Sequence, residues 1–138
     1  MTIERKRILL FEDDRFLRRA CEAWLRQRGF EVTTAADGVE GLALARAGTY
    51  DVILLDLLMP RMSGLDVLEA LRREAATASI PVLVLSNSSR EQDVVRVTRL
   101  GAEFIVKATL SLGELTERLA RILDRGAATC VPAGAEPR

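Results

Sequence analysis

The chain has no histidine, and its 138 residues include one tryptophan, one tyrosine and two cysteines. Without imidazole it can form no phosphohistidine, use no histidine base and offer no imidazole to a metal. A metal must then be held by oxygen, which points to a hard cation such as magnesium and away from zinc or copper. Cys21 and Cys130 lie far apart and no CxxC occurs, the pattern of two free thiols in a reducing cytoplasm. No apolar run exceeds a handful of residues, against the ~20 that a membrane span needs. The opening MTIERKRILLF carries charges but no long apolar stretch of the secretory type. Twenty basic residues balance twenty acidic ones, so no overall positive field recruits nucleic acid or an anionic membrane.

What is present is the composition of one globular domain, 49% apolar and 29% charged. Short apolar runs alternate with helical patterns. Strands are expected at 7–11, 30–34, 51–56, 80–85 and 103–106. Helices are expected at 15–28, before Gly29; at 38–47, opened by the capping box Asp37-Gly38-Val39-Glu40; at 64–74; from Ser89-Arg90-Glu91-Gln92 to near Gly101; and from the box Ser111-Leu112-Gly113-Glu114 to just before Gly126. Five strand–helix alternations predict a parallel sheet covered on both faces, and the wholly apolar third and fourth strands fit burial on both sides. The domain is expected over residues 1–125, with 126–138 (GAATCVPAGAEPR) as a disordered tail.

In open sheets of this kind ligands bind beyond the carboxyl ends of the strands. Here those ends carry Glu12-Asp13-Asp14, Asp56, Ser86-Asn87 and Lys107. Singly, each has an ordinary explanation: a helix start, a turn cap, an N-cap, a surface lysine. Together they bring several carboxylates, a hydroxyl and an ammonium to one edge. Two carboxylates about 4 Å apart repel by roughly 4 kcal/mol at an effective dielectric of 20. Glu12, Asp13 and Asp56 therefore need a counter-charge, and magnesium supplies one while attracting a phosphoryl group. A carboxylate, Asp56, can then act as nucleophile and form an acyl phosphate, with Lys107 and Ser86 donating to its oxygens.

These residues resemble the receiver domain of bacterial two-component response regulators over about residues 6–125. The resemblance runs through Glu12-Asp13, Asp56-x-x-Met59-Pro60-x-Met62-x-Gly64, Ser86 and Phe104-x-x-Lys107. It implies a flavodoxin-like (βα)5 doubly wound parallel sheet of order 2-1-3-4-5. It implies Asp56 as phosphoacceptor, with Mg2+ held by Glu12, Asp13, Asp56 and the backbone carbonyl of Leu58. Ser86 and Phe104 are the implied switch residues, acting on the face of the fourth helix, fifth strand and fifth helix. The implied phosphoryl donor is a sensor histidine kinase or histidine phosphotransfer protein, and the output goes to an unknown protein. The expectation is a cytoplasmic receiver, either stand-alone or a fragment of a longer regulator, monomer or weak dimer, that touches neither nucleic acid nor membrane directly and catalyses only its own phosphorylation and dephosphorylation.

Two residues depart from that pattern. Ala108 stands where the family has a proline in a cis peptide, and a trans Lys107–Ala108 bond is expected because cis costs about 3–4 kcal/mol before other residues. Asn87 follows the switch hydroxyl in place of a small residue. Leu58 and Ser88 occupy positions that tune hydrolysis, and their chemistry implies slow self-dephosphorylation. Two rivals remain. A haloacid-dehalogenase-type phosphatase would need a second acid where Leu58 stands. A pseudo-receiver would bind protein partners without phosphate.

Overall fold

The structure, a computed structural model, describes residues 5–87, 90–107 and 111–128. Five strands and five helices alternate: β1 (Arg7–Phe11), α1 (Arg15–Gln27), β2 (Glu31–Ala35), α2 (Gly38–Ala47), β3 (Val52–Asp56), α3 (Gly64–Arg73), β4 (Val82–Ser86), α4 (Glu91–Arg99), β5 (Glu103–Val106) and α5 (Leu112–Ala128). All strand pairings are parallel, in the order β2-β1-β3-β4-β5, as expected for the doubly wound flavodoxin-like sheet.

Strand periodicity builds two cores. Odd residues of β1 and β3 (Leu9, Phe11, Ile53, Leu55), with Val82 and Val84 of β4, pack under α2, α3 and α4. Their alternates (Ile8, Leu10, Val52, Leu54, Leu83, Leu85) and Ile105 pack with Leu25 of α1 and with Leu115, Leu119 and Ile122 of α5. The central strands thus have no polar face, which explains why β3 and β4 read as continuous apolar runs.

The expected caps form. Asp37 Oδ1 accepts from Glu40 N at 2.8 Å, while Glu40 reaches back to Ala36 N at 2.8 Å. Ser111 and Glu114 close a reciprocal box at 3.1 and 2.9 Å. Gly29 follows α1 with φ 96°, the left-handed backbone that ends helices.

Several boundaries differ from expectation. β4 begins at Val82, beyond Pro81, whose carbonyl still accepts from Ile53 N at 2.9 Å. α4 starts at Glu91, and its N-cap Arg90 makes no side-chain capping bond. α5 runs through Gly126 to Ala128, so the domain's last helix overruns the boundary expected at 125. Ser88, Ser89, the Lys107–Ala108 bond and residues 129–138 lie outside the described residues.

Candidate functional site

Strand register brings the polar ends together. Phe11 pairs with Leu55, Asp56 with Leu85, and Ser86 with Val106. Glu12, Asp56, Ser86 and Lys107 therefore emerge at one edge. Period-two alternation then sorts them by face. Glu12, Asp56 and Lys107 continue the side covered by α1 and α5. Ser86 continues the Val82–Val84 side under α3 and α4, as does Phe104, the register partner of Val84.

The acids converge. Carboxylate oxygens of Glu12, Asp13 and Asp56 lie within 4.8 Å of one another. Glu12 and Asp56 are buried, whereas Asp13 is exposed. Lys107 Nζ donates to Glu12 Oε1 at 2.8 Å and to Asp56 Oδ2 at 3.2 Å. Leu58 N–H donates to Asp56 Oδ1 at 3.2 Å, and Asp14 N–H to Glu12 Oε2 at 3.2 Å. These bonds answer the cost of placing two carboxylates among apolar strands. Asp14 itself is the N-cap of α1, accepting from Leu17 N at 3.0 Å, so one acid of the EDD run has the plain structural role.

Burial holds the Glu12 carboxyl above its ordinary pKa; the Lys107 hydrogen bond opposes this and the charge of Asp56 adds to it. Burial works against the Lys107 ammonium, but its bond to Glu12 and the charges of Asp56 and Glu12 outweigh it and raise its pKa. Burial thus sets the direction for Glu12, and the two acids set it for Lys107. With Asp13, three carboxylates and one ammonium leave two negative charges, matched to a hard dication bound by oxygen.

Residues 8–120 match the response regulator receiver domain family. The chain belongs to that family. Its receiver is 41% identical over 125 residues to the transcriptional activator protein PfeR of Pseudomonas aeruginosa, covering 91% of this chain and 40% of that protein. It is 37% identical over 119 residues to the cell cycle transcriptional regulator CtrA of Caulobacter vibrioides, covering 86% and 51%. The chain thus spans about half the length, or less, of these curated relatives. Among solved structures, the receiver resembles the chemotaxis protein CheY4 of Vibrio cholerae with a TM-score of 0.80 at 30% identity, covering 86% of this chain and 99% of that one. A CheY-like receiver domain protein from Methanospirillum hungatei gives a TM-score of 0.83 at 26% identity, covering 88% and 96%.

Within the receiver, Ser86 is buried and shares a hollow of about 160 Å³ with Leu57, Leu58, Ser63, Leu65, Arg90 and Asp93. Phe104 is half-buried and packs against the core under α3 and α4. Leu58 is 62% exposed and Asn87 is exposed in the bend after β4. Sequence reasoning missed Arg18, whose Nη1 donates to the carbonyls of Glu12 at 3.0 Å and Asp13 at 3.3 Å. The only signal was an arginine in the first turns of the helix that follows the acids. No described helix is long and apolar enough to cross a membrane.

Proposed function

We propose that this receiver accepts a phosphoryl group on Asp56 from a phosphohistidine on a sensor histidine kinase or phosphotransfer protein. The observation that carries the reading is the buried Asp56 carboxylate held between Lys107 and the Leu58 N–H, beside two further acids. An Asp56 oxygen forms the new O–P bond as the donor's P–N bond breaks. The electron pair leaves on the imidazole nitrogen, which takes up a proton. Lys107, already between Glu12 and Asp56, offsets charge on the incoming oxygens. Glu12, Asp13, Asp56 and the Leu58 carbonyl are the residues that would hold magnesium. It would neutralise part of their charge and so favour the approach of the anionic phosphoryl group.

Phosphorylation adds charge and acceptor oxygens at Asp56. Ser86, on the neighbouring strand end, donates to one of them and draws the start of α4 with it. Phe104, on the same face of the sheet, repacks, and the α4–β5–α5 face shifts its population toward the output state. The output partner recognises that face. The cytoplasm is the compartment that suits a phosphohistidine relay.

Incubation with acetyl phosphate and Mg2+ followed by intact mass measurement tests the reading. The parent should gain one phosphoryl group and Asp56→Asn none. A parent that gains nothing would favour a receiver acting by protein contact alone.

A further inference from the structure

The three acids are not held alike. Glu12 is fixed through its carboxylate by Lys107 and Asp14 N–H, and Asp56 by Lys107 and Leu58 N–H. Asp13 is exposed, and among the described residues no hydrogen bond reaches its carboxylate. Its place is set by the backbone of the β1–α1 connection. There the half-buried Arg18 intervenes: one nitrogen, Nη1, donates to the carbonyls of both Glu12 and Asp13. Arg18 is itself anchored in α1, its N–H donating to Asp14 O at 2.8 Å. A side chain of the helix thus ties down the two peptide units that carry the acids.

We propose that Arg18 is a positioning residue that gives the acid cluster its preference for magnesium over larger dications. The inference rests on the reading of Glu12, Asp13 and Asp56 as a dication site. Magnesium demands near-ideal octahedral ligands at about 2.0–2.1 Å, whereas calcium accepts six to eight oxygens at about 2.3–2.6 Å in pliant arrangements. An Asp13 left to wander is therefore penalised more by magnesium than by calcium. Charge alone gives a different result. A guanidinium near the cluster repels every dication, so its loss by that route tightens magnesium and calcium together. Geometry and charge thus predict opposite signs for one substitution.

Calorimetric titration of the whole chain with MgCl2 and with CaCl2, without phosphoryl donor, separates them. Arg18→Ala should weaken magnesium by about tenfold, the low end for groups that orient metal ligands, and calcium by clearly less. Arg18→Lys keeps the charge but offers one compact ammonium on a different stem; it should recover part of the magnesium affinity. An unchanged ratio of the two dissociation constants in Arg18→Ala overturns the role of Arg18, whether both constants fall, rise or stay. Should Arg18→Ala fail to fold by circular dichroism, Arg18→Lys decides: a lowered magnesium preference supports the proposal and a parental one overturns it. A parent that binds no magnesium overturns the dication reading itself, and this inference with it.

Discussion

Leu58 stands two residues beyond Asp56, and its two ends do different work. Its N–H helps hold the Asp56 carboxylate, while its side chain projects to solvent at 62% exposure. An aliphatic group there cannot hydrogen-bond a water attacking a phosphoryl group, and water orientation is a large part of such hydrolysis. Leu58→Asn should lose phosphate from Asp56 several-fold faster than the parent, measured as decay of the phosphorylated mass after acetyl phosphate is removed. Equal decay would remove Leu58 from the control of lifetime. Gly64, the glycine of the same motif, shows how a pattern can be legible before its cause is. A Cβ at Gly64 would meet Asp56 O at 2.4 Å and Leu57 Cα at 2.6 Å, so only glycine lets α3 start against the end of β3. The convergence of Asp56, Lys107 and the acid pair was legible because polar residues, each ordinary alone, fell together at the ends of several strands. Arg18 was not, because its partners are carbonyl oxygens, which every residue carries.

At the scale of elements, the connections are fastened by side chains that sequence patterns do not mark. Arg72, near the end of α3, donates to Leu100 O at 2.7 Å, Ala78 O at 3.0 Å and Ile80 O at 2.7 Å. It joins the α3–β4 connection to the turn between α4 and β5. Burial lowers its pKa, yet the three carbonyls keep a use for the charge. Arg72→Met retains much of the stem and removes every donor, leaving the part-buried carbonyls of Leu100 and Ile80 without their charged partner. The loss should be about 2–3 kcal/mol, with Arg72→Lys recovering less than half because one ammonium cannot span the fork. A fall in the urea midpoint at unchanged slope is the readout. The strands and helices themselves were legible from periodicity and caps. Their limits were less so. Gly126 was read as a stop, yet glycine costs a helix only about 1 kcal/mol, and Leu115, Leu119 and Ile122 anchor α5 well enough to continue past it. β4 starts later than its apolar run because Pro81 has no N–H to donate and joins the ladder only through its carbonyl, and Ile80 precedes it.

For the whole molecule, a balanced total charge conceals two uncompensated negative charges at one edge of the sheet. A dication that binds this edge only in the folded state adds RT ln(1 + [Mg2+]/Kd) to stability, about 1.4 kcal/mol when magnesium is tenfold above Kd. The same edge ties that gain to pH. Because burial raises the Glu12 pKa in the fold, the folded chain binds its proton more readily than the unfolded one. Without metal, the contribution of Glu12 therefore improves as pH falls from above its folded pKa towards its unfolded value, the reverse of a salt-bridged carboxylate with a depressed pKa. A magnesium ion held by this cluster would compete with the proton for the same oxygens. The rise in melting temperature produced by MgCl2 should be large at neutral pH and shrink as the solution is acidified through that window. Glu12→Gln should reduce the rise and flatten its pH dependence by removing both the charge and the titration. A magnesium-induced shift in the parent that is equal at neutral and mildly acidic pH would show that the dication binds away from Glu12.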